Sequence, residues 1–223
     1  MGLTLREQER AARFAGYVAH ELRTPLATQR ALLELALGDP SADVVTWREI
    51  GEDVLGACHE QERLLEACLA LARSRNRAER CEPVDLSDVA AEALRAHDLS
   101  GLRSVVALRS AWTTGDPELL ERLAANLVSN AIRHNVPGGW IAVATRTELG
   151  SAVLSVSNTG STVPAAELSR LFRPFERLST REGGVGLGLA IVQAIADAHN
   201  AAVTAHTRTG GGLAIDVAFP RIN

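Results

Sequence analysis

The chain has 223 residues, of which 46% are hydrophobic and 22% charged, a balance of ordinary globular usage that excludes a disordered or fibrous protein. That length suits one large domain or two small ones, and two are expected. A formal net charge of -4 gives no electrostatic reason to expect nucleic acid, whose binding groove usually shows as a basic excess. From about Leu3 to Leu37 only Gly16 and Pro25 interrupt a helical pattern. In it Phe14, Val18 and Leu22 recur at i+4, with Leu26 and Leu33 further along one apolar stripe. The stretch from Gly38 to Asp43 joins a helix-stopping glycine and Pro40 to the capping types Ser41 and Asp43, so the chain turns back there. A second helix is expected from Val44 to Ser74, where Ile50, Val54, Gln61, Leu64, Leu65, Cys68, Leu71 and Ala72 keep helical spacing. Such a hairpin leaves one apolar face bare, and pairing two hairpins into a homodimeric four-helix bundle covers it.

Arg73 to Pro83 is charged, lacks apolar periodicity and ends in proline, which marks a linker. The expected domains are therefore residues 1–76, helical, and 85–223, mixed, joined by a linker at 77–84. Asp85 to His97 reads as a capped helix and Leu102 to Leu108 as a strand. Pro117 to His134 is a helix opened by Asp116 and Pro117, and Trp140 to Thr147 and Ala152 to Ser157 alternate like paired strands. A helix from Leu187 to His199 and strands at Ala202 to Thr207 and Gly212 to Phe219 complete an α/β sandwich, a mixed sheet with helices on one face. Cys58, Cys68 and Cys81 lack metal-like spacing and read as reduced, packed thiols. No apolar run approaches the roughly 18 residues that cross a bilayer.

Three constellations carry chemistry. In His20-Glu21-Leu22-Arg23-Thr24-Pro25, His20 projects roughly 200° from the apolar line, towards water, and Thr24 falls within about 40° of it. Glu21 is placed to bond one imidazole N–H and make the other nitrogen more basic, while Pro25 loosens the helix nearby. From spacing alone such a pair is more often a solvated helix face. The whole string FAGYVAHELRTPL, Phe14 to Leu26, resembles the phosphoacceptor box of sensor histidine kinases. That resemblance implies His20 as phosphoryl acceptor, Glu21 as general base, and Thr24 as the residue that positions water for dephosphorylating a partner.

The second constellation is ERLAANLVSNAIRHN, Glu121 to Asn135, in which Asn126 and Asn130 share a helix face with Arg133 and His134 one turn beyond. Amides and cationic groups on one ridge suit Mg²⁺ and a triphosphate, although spacing alone fits an amphipathic helix with a wet side. The string resembles the N box of the same kinases and of the ATPase superfamily that includes Hsp90, MutL and gyrase B. By that resemblance Asn130 is the Mg²⁺ ligand, and Asn126, Arg133 and His134 lie near the phosphates of ATP. The third is the glycine series: SNTGSTVP, then LFRPFERL, then GGVGLGLAIV, with Gly184, Gly186 and Gly188 running into a helix where N–H groups can meet an anion. In their order these resemble the remaining ATP-binding boxes, which implies a Bergerat-type domain. Asn158 and Gly160 would then lie at the adenine, and the segment from Phe172 to Val185 would be a lid anchored by Phe172 and Phe175. Both phenylalanines equally suit a plain core.

The first glycine box departs from the family pattern, with Asn158 in place of an aspartate and Thr162 in place of a glycine. Asn158 can still accept a bond from the adenine amino group, but without charge assistance, so weaker nucleotide binding is expected. The resemblance implies autophosphorylation of His20 from Mg-ATP, transfer to an aspartate of a response regulator, and dephosphorylation of that partner. The alternative is a degenerate kinase acting mainly as a dimeric regulator-binding phosphatase or scaffold. The start, LREQERAARF, resembles the helix entering the phosphoacceptor box from a membrane-proximal linker, so a cytoplasmic part of a membrane receptor is expected, with membrane contact only through a sensory region absent from the chain. The wording around the boxes is similar to actinobacterial kinases of the vancomycin-resistance type.

Overall fold

The computed structural model describes residues 25–39, 42–74, 81–174, 176 and 186–222. The chain divides into two compact units, Met1–Cys68 and Leu69–Asn223. In the first, residues 25–38 form helix α1 and Val44–Ser74 form α2. Asp43 opens α2 by accepting bonds from the Thr46 amide and hydroxyl, both at 2.9 Å, the capping role its type implies. The side chains of α1 turned from solvent are Gln29, 7% exposed, and Ala36, 3% exposed. Gln29 Nε2 donates to the Val54 carbonyl of α2 at 3.4 Å. The leucine line runs beside them, three residues earlier at each step, with Leu26 55% exposed and Leu33 at 37%; Leu35 and Leu37 are also open to solvent within one chain.

The second unit begins with β1, Glu82–Asp85, which pairs antiparallel with β3, Trp112–Gly115. The end of the segment expected as linker is thus a strand, because Pro83 and Val84 lie in register with Thr114 and Thr113. Asp85 closes β1 and caps α3, Leu86–Arg95. Its carboxylate accepts from Ser87 N at 3.0 Å, Ala111 N at 2.8 Å and Ser110 Oγ at 2.6 Å. Burial alone would raise its pKa, but the bonds from Ser110, Ala111 and Ser87 outweigh it and hold the carboxyl below the ordinary value. A group depressed in this way contributes stability above its unfolded pKa, and that contribution fades as pH falls through the folded value. Asp85→Ala should therefore cost about 2 kcal/mol at pH 7 by urea unfolding, from one cap and two further bonds, with the deficit shrinking below about pH 4.

The main sheet contains β2, Arg103–Leu108; β4, Trp140–Glu148; β5, Ser151–Asn158; β6, Ala202–Thr207; and β7, Leu213–Pro220. Their order is β2-β4-β5-β7-β6, with β2 and β4 parallel and the other pairs antiparallel. Alternation sends Ile141, Val143, Leu154, Val156, Ile215, Val217 and Phe219 into the core. There they meet α4, Pro117–Arg133, and α5, Gly188–Ala198, through Leu120, Leu123, Leu127, Val192 and Ile195. The expected mixed sheet with helices on one face is what forms.

Asp116 caps α4 through Glu118 N at 3.0 Å and Leu119 N at 3.3 Å. Buried His199, just past α5, accepts the Asp116 amide at Nε2 at 3.0 Å, so its Nδ1 carries the hydrogen that faces the Ile195 carbonyl at 2.7 Å. This neutral ring ties the end of α5 to the start of α4. The β4–β5 hairpin turns on Leu149 and Gly150, both at positive φ (48° and 79°), a geometry suited to Asn-Gly. Leu149 is 99% exposed and packs on nothing. Leu149→Asn should stabilise the chain by about 0.5 to 1 kcal/mol, read as a higher denaturation midpoint.

Candidate active site

Helix α4 presents its polar ridge to two glycine elements at once. Near the middle, Asn126 Nδ2 donates to the Arg122 carbonyl at 2.8 Å, which turns its Oδ1 towards the start of α5. A Cβ built on Gly188 would lie 3.5 Å from that oxygen. Gly186 sits at φ 71° just before, and Leu187, the cap residue of α5, has no side-chain acceptor for the first amides of the helix. Unfilled N–H groups at a helix start attract anions.

At the other end of α4 the His134 carbonyl meets the first glycine box. A Cβ on Gly160 would stand 2.3 Å from it, so only glycine permits this approach of backbone to backbone. Asn158, last residue of β5 and 4% exposed, donates Nδ2 to the Thr159 carbonyl at 2.7 Å and, over a long 3.5 Å, to the His134 carbonyl. Both partners are acceptors, which sets the amide's orientation and leaves Oδ1 as its acceptor atom. An aspartate here would set its own oxygens against those carbonyls. The substitution read in the sequence as a lost charge is thus also a gained pair of donors.

The structure therefore brings together Asn126, Asn130, His134, Asn158, Gly160, Gly186 and Gly188 around α4. Asn130 lies half-buried between the two contacts, and Arg133 is exposed one turn on. Phe172 is half-buried after a short 3₁₀ turn, Ala165–Arg170, where Arg170 pairs with Glu167 and Glu176. His20, Glu21, Thr24, Phe175 and Gly184 lie outside the described residues. Sequence reasoning did not single out Asn135 or Thr159, which bond each other at 2.7 Å beside this ridge; a threonine directly after the strand-ending asparagine was the available signal.

Among the described residues no group of three or more His, Cys, Asp or Glu is arranged to hold a metal, so a cation here would rely on amide oxygens, water and the ligand's own phosphates. The same residues include no helix long and apolar enough to cross a membrane.

Comparison with known proteins places both parts. Residues 10–77 match the His Kinase A (phospho-acceptor) domain, and residues 115–223 match the histidine kinase-, DNA gyrase B-, and HSP90-like ATPase. Sensor protein CutS of Streptomyces coelicolor is 46% identical over 217 residues, covering 93% of this chain and 52% of that protein. The chain thus spans about half the length of that relative. Among solved structures, the mycobacterial sensor histidine kinase MprB is 28% identical with a TM-score of 0.58, over 63% of this chain and 97% of its own. The Acinetobacter baumannii histidine kinase AdeS, 24% identical with a TM-score of 0.70 over 92% of this chain and 98% of its own, shares the fold. With the phospho-acceptor and ATPase domains matched in that order and a sensor protein this similar, the chain belongs to the sensor histidine kinases of two-component signalling.

Proposed function

We propose that the chain phosphorylates its own His20 from ATP and passes the phosphoryl group to an aspartate of a response regulator. The observation that carries this reading is the double contact of α4, at Gly188 through Asn126 and at Gly160 through His134, which frames one nucleotide site between two glycine elements. In that site Asn158 Oδ1 would accept the adenine amino group, and the amides opening α5 would face the phosphates. Asn130, with Asn126, Arg133 and His134 near the phosphates, would hold Mg²⁺, whose hard oxygen preference fits an amide oxygen and which would supply charge neutralisation when bound.

In the reaction His20 Nε2 attacks the γ-phosphorus in line. The N–P bond forms, the bond to the β-phosphate oxygen breaks, ADP leaves, and the imidazole proton passes to Glu21. Thr24 would serve the reverse hydrolysis on the phosphorylated regulator. The open leucine face of α1 supports a homodimer, since a second hairpin would cover it. Residues 1–76 would form the dimerisation and phosphotransfer part and 85–223 the catalytic part, as the cytoplasmic portion of an inner-membrane sensor. Against the degenerate-kinase alternative, Asn158 commits its Nδ2 to the Thr159 carbonyl, so that its oxygen would remain the acceptor for the base. The test is incubation with γ-labelled ATP and Mg²⁺: acid-labile, alkali-stable label on the chain is expected, and its absence with nucleotide bound overturns the reading.

A further inference from the structure

The end of α4 is fastened to the first glycine box by two side chains that face each other rather than any ligand. Thr159 Oγ1 donates to Asn135 Oδ1 at 2.7 Å and accepts the Trp140 amide at 2.8 Å; a second approach to the Trp140 carbonyl, at 3.3 Å, is longer. Asn135 Oδ1 also accepts the Val136 amide at 2.9 Å, and its Nδ2 donates to the carbonyls of Ala131 at 3.2 Å and Trp140 at 3.0 Å. Both side chains are therefore satisfied on every polar atom, by partners on α4, β4 and the β5 end. Gly139 closes the back of this cluster: a Cβ there would fall 2.2 Å from Asn135 Oδ1 and 2.3 Å from Thr159 Oγ1. No slack is left in the arrangement.

Its position gives it consequence. Asn135 lies two residues past the end of the helix that carries Asn126 and Asn130, and Thr159 lies between Asn158 and Gly160. Beside this clasp, Asn158 Nδ2 reaches the His134 carbonyl over a longer 3.5 Å. We propose that Asn135 and Thr159 are positioning residues that set the spacing between the phosphate end and the adenine end of the nucleotide site, without touching the nucleotide. This rests on the nucleotide-site reading above.

The signature of such a role is length-dependent. A ligand that spans both ends suffers when the spacing relaxes, whereas a ligand seated at one end does not. In the 223-residue chain, Thr159→Val should weaken ATP binding roughly tenfold, the scale of one buried hydrogen bond and a stranded amide, and weaken adenosine binding less than about twofold. Thr159→Ser, which keeps the hydroxyl, should restore ATP binding. Asn135→Ala should behave like Thr159→Val, and the double variant should lose little more than either single one, because the two act through one bond. Isothermal titration with ATP and with adenosine, beside a thermal melt, reads all of this.

A shifted melt with unchanged ATP affinity in Thr159→Val overturns the inference, as does an equal loss for ATP and adenosine. Should Thr159→Val fail to fold, Asn135→Ala answers from the other side of the clasp under the same criteria. If the parent chain itself binds no ATP, the failure belongs to the site reading; if the parent binds and the variants bind equally well, it belongs to the clasp.

Discussion

Chains carrying His20→Gln should show no acid-labile label after incubation with γ-labelled ATP, yet bind ATP within about twofold of the parent. Glutamine keeps a polar side chain of similar reach but offers no nucleophilic nitrogen, so there is no acceptor for the phosphoryl group. Retained binding follows from the division of the molecule. Asn126, Asn130, Asn158, Gly160 and Gly188 all belong to the unit Leu69–Asn223, and His20 belongs to Met1–Cys68. Filter assay of label and calorimetric titration of ATP on the same preparation check both halves. Persistent label would move the acceptor to another residue.

Gly160→Ala should lose ATP binding by more than about tenfold and lose label with it, since its Cβ would enter the His134 carbonyl at 2.3 Å. A flexible side chain could swing aside, but this obstacle is backbone. The carbonyl is fixed by the end of α4, and the strand that leads into Gly160 is held on one side by β4 and on the other by β7. Relief must come from parting α4 and the β5 end, which displaces Asn158 as well. Overpacking of this kind costs about 1 to 3 kcal/mol of stability, so the variant should still fold at 25 °C while its nucleotide site is open. Ser161→Ala, one residue on at an exposed side chain, should bind like the parent and serves as control. Undiminished binding by Gly160→Ala would mean that the close approach is dispensable.

Much of the fold is legible in the chain because its signals are local. Asp85 and Asp116 announce α3 and α4, the apolar period of α4 and α5 places their inner faces, and alternation in β4 and β5 marks a hairpin. What escaped depends on partners far away in sequence. The strands β1 and β3 are four residues each, too short for a periodic signal; they pair with each other across an intervening helix and strand, and Thr113 of β3 also bridges to Arg221. In α1 the leucine line is open within one chain, as a hairpin with one bare apolar face implies, but that Gln29 and Ala36 beside it are the residues turned away from solvent was a choice residue type alone could not make. The nucleotide-site asparagines and glycines were readable as a series of boxes. The Asn135–Thr159 clasp was not, because its members lie 24 residues apart and neither type is unusual where it stands.

The orientation of the Asn158 amide bears on which base the site would accept. An unconstrained asparagine is ambidextrous: by turning over it can offer either an oxygen or an NH₂ group. With its nitrogen held by the carbonyls of Thr159 and His134, turning over would oppose oxygen to oxygen twice. The residue is thereby confined to one polarity; in the proposed site its oxygen would complement the exocyclic amine of adenine and repel the keto oxygen of guanine. Discrimination between purines, which a carboxylate enforces by having no donor to offer, would here be enforced by committing the donor elsewhere.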